Sequence, residues 1–213
     1  MIHLRLKHYR YSIVISLLCV LFLVLSACSS EPPRLRPLPP DAIILAFGDS
    51  LTYGTGAGQE QSYPARLAEK LGFTVINAGV PGEVSALGYQ RLPELLDQYQ
   101  PDLVILCHGG NDLLRRQALS DLTDNLRGMI ERSQAAGAQV VLIGVPQPSL
   151  GRNVPELYAD LAAEYGLPYE GKILPAILGN PRLKSDTIHP NAEGYLQFAE
   201  AIHALLKAAR AIL

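Results

Sequence analysis

Of the three cysteines in this 213-residue chain, Cys19 and Cys28 lie in the first 28 residues, leaving only Cys107 in the remainder. A disulfide within the folded part is therefore excluded. No Cys/His spacing suggests a metal site, and no cofactor is expected. Excess positive charge is missing too. Removing the first 27 residues takes away three basic groups and no acidic one, moving the formal net charge from −2 to −5. That balance argues against nucleic acid as a partner and against charge-driven attachment to anionic lipid. The Gly-rich run Gly54-Thr55-Gly56-Ala57-Gly58 has neither G-x-G-x-x-G spacing nor a closing Lys-Ser/Thr. Dinucleotide and P-loop phosphate sites are thereby set aside. No internal repeat is present.

One long apolar run does occur. Arg5, Lys7 and Arg10 precede Ile13 to Leu25, which is apolar except for Ser16 and Cys19. That is shorter than the ~20 residues a spanning helix needs and reads as a signal h-region. It ends in Leu25-Ser26-Ala27-Cys28, which resembles the lipobox of bacterial lipoproteins, where cleavage leaves Cys28 as the lipidated first residue. Ser29 rather than Asp follows, resembling the signal for outer-membrane sorting. The expected location is the cell envelope, lipid-anchored through Cys28 on the periplasmic face of the outer membrane. An ordinary signal peptide or an uncleaved anchor are the alternatives. Five prolines between Pro32 and Pro40 favour extended polyproline II. The division expected is 1–27 signal peptide, 28–40 lipidated Cys and Pro-rich linker, and 41–213 a single domain.

Within that domain short apolar, β-branched runs alternate with helical stretches. Ile43–Phe47, Thr74–Asn77, Leu103–Cys107 and Gln139–Val145 read as buried parallel strands, with a short fifth near Leu167–Tyr169. Leu122, Leu126, Met129 and Ile130 share one helical face, as do Tyr195, Phe198, Ile202 and Leu205 after Asn191. Pro93 predicts a kink or restart in the helix between Val84 and Leu96. Alternating β and α implies a parallel sheet with helices on both faces.

In such a sheet, sites form beyond the carboxyl ends of the strands. Ser50 follows the first strand, Gly82 the second and Asn111 the third. Asp186 and His189 sit three apart before the last helix. These are the parts of a serine hydrolase: nucleophile, oxyanion donors, base and base-orienter. Ser50 alone would read as a helix N-cap, Gly82 and Asn111 as turn residues, and Asp186-x-x-His189 as a helix start.

Together, Gly48-Asp49-Ser50-Leu51, Gly82, Gly109-Gly110-Asn111-Asp112 and Asp186-Thr187-Ile188-His189-Pro190 resemble the GDSL, or SGNH, hydrolase family over roughly Ile43 to Leu206. Within it the chain looks most like the small periplasmic thioesterase/lysophospholipase and arylesterase group. The resemblance implies a three-layer α/β/α, flavodoxin-like fold with sheet order 2-1-3-4-5. It implies a Ser50–His189–Asp186 triad and an oxyanion hole from Ser50, Gly82 and Asn111. Asp49 would shape its loop rather than serve as the catalytic acid. His108 departs from the family, which usually has an apolar residue there. It reads either as a satisfied semi-buried histidine or as a group that tunes the site. The implied substrate is a small-molecule or lipid ester: a lysophospholipid, aryl or short-chain ester, or acyl thioester. Leu113, Leu114 and Pro146 to Leu150 would line its pocket. A carbohydrate or cell-wall O-acetyl esterase is the alternative within the same chemistry. A non-catalytic, ligand-binding lipoprotein is the alternative outside it.

Overall fold

The computed structural model describes residues 32–148 and 151–213. The signal-like segment and Cys28 lie outside the described residues. Five parallel strands form one sheet: β1 Ile43–Gly48, β2 Thr74–Gly79, β3 Leu103–Cys107, β4 Gln139–Ile143 and β5 Tyr169–Glu170. Their order is β2-β1-β3-β4-β5, as the family resemblance implied. β1 and β3 are buried almost throughout because helices cover both faces.

The helices are α1 Ser50–Tyr53, α2 Tyr63–Leu71, α3 Ser85–Tyr99, α4 Gly110–Leu114, α5 Leu119–Ala135, α6 Glu156–Tyr165, α7 Ile173–Gly179 and α8 Ala192–Ala208. α2 packs against α8, and α3 against α5, which also meets α6. Right-handed crossovers explain the grouping. The chain steps one way from β1 to β2 and back the other way from β2 to β3, so the connecting helices fall on opposite faces. The stripe Leu122, Leu126, Met129 and Ile130 is buried in the core, as are Tyr195, Phe198 and Ile202.

Two expectations need correction. α3 does not restart at Pro93 but continues through it as one helix. Proline cannot supply an N–H to the carbonyl one turn earlier, that of Tyr89. Arg132 of α5 does so instead, donating from Nη1 to Tyr89 O at 2.8 Å while its guanidinium lies 3.6 Å over the Tyr89 ring. The helix therefore survives its proline by borrowing a donor from a neighbour. Second, the described part of the Pro-rich stretch is not a free spacer. Leu35 N and Leu38 N each donate at 2.8 Å, to Ala209 O and Ala211 O. Arg36 bonds Gly137 O and exchanges bonds with the Gln139 side chain. Both leucines pack on the core. The folded body therefore begins before Asp41, and Pro32–Leu213 forms one compact unit.

Strand register sets the site. Gly48 pairs with Gly79 on one side and Cys107 on the other. The three strands thus end in line, and the loops carrying Ser50, Gly82 and Asn111 leave the same rim. This is where the strand order reverses, the place where open α/β sheets bind ligands.

Candidate active site

Ser50 is the first residue of α1, but it does not cap the helix. Asp49 does, accepting from Leu51 N at 3.1 Å. Asp49 is buried, and burial pushes its carboxyl above the usual value despite N–H bonds from Leu51 and Gly110. With capping done by its neighbour, the Ser50 hydroxyl is released toward the rim.

His189 meets it there. Ser50 Oγ and His189 Nε2 are 3.0 Å apart, and His189 Nδ1 lies 2.7 Å from Asp186 Oδ2. The carboxylate can only accept, so Nδ1 carries the proton and Nε2 is left bare to accept from Ser50. Asp186 is itself fixed: its Oδ1 accepts the N–H groups of Ile188 and His189 at 2.8 Å each. Burial raises its carboxyl, but the bond from His189 and the two N–H bonds outweigh this and hold it below the usual value.

The loop is held at its base. Ser185 N donates to His189 O at 3.0 Å, and Asn191 N to Leu183 O at 3.0 Å. Asn191 Oδ1 then caps α8 at Gly194 N. The helix that begins just after the loop thus pins the imidazole.

Asn111 opens toward the same place from the first turn of α4. Its Nδ2 donates to Glu83 O at 3.0 Å and lies 3.4 Å from Asp49 Oδ2. Gly82 adopts φ +80, a backbone region that favours glycine, and no atom lies within 4 Å of where a Cβ would be. Its carbonyl is held by Arg115 at 3.0 Å. The N–H groups of Ser50 and Gly82 make no hydrogen bond among the described residues.

Ser50, Asn111 and His189 line one cleft. Leu114, Pro146, Gln147 and Pro148 do so as well, as the sequence suggested. Gly82 is not part of the cleft lining, and Leu113 is buried in the core instead. Residues 149 and 150 are outside the described residues. Sequence reading missed Val145, Arg152, Leu178 and Ile188. Leu178 in particular comes from α7, a short helix with no motif to mark it.

His108 makes no hydrogen bond to Ser50. It is fully buried beneath the rim, with Nε2 3.1 Å from Glu83 Oε2 and Nδ1 accepting from Gly109 N at 2.9 Å. Both of its ring nitrogens are thus hydrogen-bonded. His203 lies part-exposed on α8, where burial and the charges of Lys70 and Lys207 lower its basicity. Cys107 is buried, and burial raises its thiol well above the usual value. Among the described residues no group of three or more His, Cys, Asp or Glu could hold a metal ion.

A parallel sheet with a hydrogen-bonded Ser–His–Asp chain at its switch point defines a hydrolase of the serine type. The particular family follows from comparison. The GDSL-like Lipase/Acylhydrolase family matches residues 46–196, and the chain belongs to it. It is 33% identical to the arylesterase of Vibrio mimicus over 195 residues, 86% of this chain and 92% of that protein. It is 33% identical to thioesterase 1/protease 1/lysophospholipase L1 of Escherichia coli K12 over 158 residues, 70% of this chain and 76% of that one. The solved structure of the psychrotrophic esterase EstA from Pseudoalteromonas superposes with a TM-score of 0.69. Identity there is 27%, covering 78% of this chain and 97% of that one. The protein is an esterase of the GDSL/SGNH hydrolase family.

Proposed function

We propose that this esterase cleaves carboxylic esters or thioesters through an acyl-enzyme on Ser50, with His189 as base and Asp186 as its orienter. The unbroken hydrogen-bond chain from Ser50 Oγ through His189 to Asp186, at a cleft with both apolar and polar walls, carries the reading. Ser50 Oγ attacks the carbonyl carbon while its proton passes to the bare Nε2. The carbonyl oxygen gains negative charge, which the Ser50 and Gly82 N–H groups and the Asn111 amide receive. The N-terminus of α1 adds a small favourable field. As the tetrahedral intermediate collapses, His189 returns the proton to the departing alkoxide or thiolate. A water, deprotonated by the same ring, then attacks the acyl-enzyme and releases the acid.

The apolar part of the cleft wall, Leu114, Val145, Pro146, Pro148, Leu178 and Ile188, suits an acyl or aryl group, beside the polar Gln147, Arg152 and Thr187. Lysophospholipids, aryl or short-chain esters and acyl thioesters are the substrates inferred, in keeping with the names of the relatives above. The rate of hydrolysis across nitrophenyl esters of rising acyl length tests this. Activity confined to acetate would refute an acyl-chain pocket. Covalent labelling by a fluorophosphonate, lost in Ser50→Ala, tests the nucleophile.

The lipobox-like Leu25-Ser26-Ala27-Cys28 supports attachment to the envelope through Cys28, on the periplasmic face of the outer membrane. Two or more acyl chains anchor stably where one does not. Palmitate labelling of the native chain, lost in Cys28→Ala, is the expected result. An unlabelled, freely soluble mature chain would refute the anchor and leave the enzyme reading intact.

A further inference from the structure

Beneath the rim lies an ionic cluster that neither Ser50 nor His189 touches. Glu83 follows Gly82 and turns its side chain inward, leaving it 6% exposed. Arg91 of α3 grips it with two bonds, Nε to Oε1 at 2.9 Å and Nη2 to Oε2 at 2.7 Å. Arg91 is located in turn by a bond to Ala78 O and by the Phe47 ring, 4.4 Å from its guanidinium carbon. His108 supplies the third bond to Glu83, at 3.1 Å. Because His108 Nδ1 accepts the Gly109 N–H, the ring's proton sits on Nε2 and points at the carboxylate. α3 makes room for this contact with Gly88. A Cβ there would stand 2.4 Å from His108 Nε2, which a fully buried ring could not yield.

Burying an ion pair is a weak route to stability, since desolvation consumes most of the attraction. The cluster is better explained by what Glu83 holds. Its own carbonyl accepts the Asn111 amide at 3.0 Å. Its backbone continues from Gly82, which has no side chain with which to be gripped. The loop's other ties are Val80 N to Gly48 O at 3.0 Å, Glu83 N to Val80 O at 3.2 Å, Arg115 Nη2 to Gly82 O at 3.0 Å, and Ser85 N and Oγ to Asp112 at 2.9 and 2.6 Å. Of these side chains only that of Glu83 lies in the loop and is gripped from beneath.

We propose that Glu83, held by Arg91 and His108, is the positioning residue of the oxyanion site, fixing both the Gly82 N–H and the Asn111 amide. The proposal rests on those two groups being the oxyanion donors. It gives His108 a role particular to this chain: a third clasp on Glu83 at a position where the family usually has an apolar residue.

The test is kinetic, on folded protein. Glu83→Gln keeps the size but loses the charge, and its amide must meet donors from both Arg91 and His108. Removing one oxyanion donor costs roughly 10²–10³ in kcat. Misplacing donors without removing them should cost a part of that, roughly 10- to 100-fold in kcat, with KM changed less than about threefold. His108→Leu should lose less than about tenfold, because Arg91 still holds both oxygens. In E83Q/H108L one of the opposed donors is gone, so the double variant should be faster than the product of the single effects. A merely structural role predicts lower Tm with native kcat per folded molecule. Native kcat in folded E83Q, or strictly multiplicative losses, would overturn the proposal. If E83Q does not fold, the kcat of folded H108L decides: a drop at constant KM supports the clasp, and native kcat overturns it. Asn111→Ala separates the layers. A loss there with native E83Q refutes positioning alone, whereas native activity in N111A refutes the oxyanion assignment and the proposal with it.

Discussion

Asp186→Asn changes one oxygen to an amide and should nearly silence the enzyme. In the native site Asp186 uses both oxygens differently. Oδ1 accepts two backbone N–H groups at 2.8 Å, and Oδ2 accepts from His189 Nδ1 at 2.7 Å. The asparagine oxygen will stay with the two N–H groups, since an amide nitrogen there would face two donors. The amide N–H₂ therefore turns to His189 and donates. Nδ1 must then accept, the ring's proton moves to Nε2, and that proton faces Ser50 Oγ 3.0 Å away. A base holding its proton toward the nucleophile cannot take another. The same tautomer reversal in the serine-protease template costs roughly 10⁴ in kcat, about 5.5 kcal/mol. The loop should stay closed, because the two backbone bonds persist. The assay is kcat and KM on a nitrophenyl ester, with circular dichroism and Tm as controls. A folded D186N within tenfold of native kcat would refute the tautomer argument.

Ser50→Ala and His189→Ala should each lower kcat by several orders of magnitude without lowering Tm by more than a few degrees; near-native esterase activity in either refutes the triad. Arg132→Met leaves the Tyr89 carbonyl beside Pro93 without its donor. It should cost about 1–3 kcal/mol, a fall in Tm of roughly 3–10 °C in a domain of this size, with kcat unchanged. Burial raises the Glu83 carboxyl, but the bonds from His108 and Arg91 outweigh it and hold the group below its usual value. A lowered carboxyl adds stability above its unfolded pKa of ~4.3 that is lost as pH falls through the folded value. The Tm gap between native and E83Q should therefore narrow from about pH 5 to pH 3, and a constant gap would contradict the ion pair. A chain begun at Asp41 forfeits the Leu35 and Leu38 bonds and their packing. It should melt several degrees below one begun at Pro32, and equal Tm values would show that the strap adds nothing.

The fold was legible because its signals are local. A run such as Leu103–Cys107, five apolar residues between Asp102 and His108-Gly109, can hardly be anything but a covered strand. Alternation then fixed the class, and family likeness supplied the order. What misled were two cases of tertiary rescue. The proline signal in α3 is real, but its cost is met by Arg132, some 40 residues away in sequence. The five prolines before Asp41 do favour extended chain. Extended chain, however, is also what pairs with a neighbouring backbone, and Leu35 and Leu38 find theirs after α8.

At the site a different division holds. Residues that do chemistry carry their own signature, because only a few side chains can attack, accept a proton or orient an imidazole. Residues that hold those groups still carry none. Nothing local marks Glu83, Arg91 or Gly88 as partners of His108, since the cluster assembles from two loops and a helix. Yet catalysis depends on that second set, because donors stabilise a transition state only when no energy is spent aiming them as charge develops. Asn111 illustrates both halves. The amide proposed as an oxyanion donor has one N–H held by Glu83 O at 3.0 Å, with the buried Asp49 carboxyl 3.4 Å away. Each belongs to a loop leaving a strand that the register brings level with β3. The alignment of Gly48, Gly79 and Cys107 across three strands is thus the step that turns separated motifs into one preorganised site.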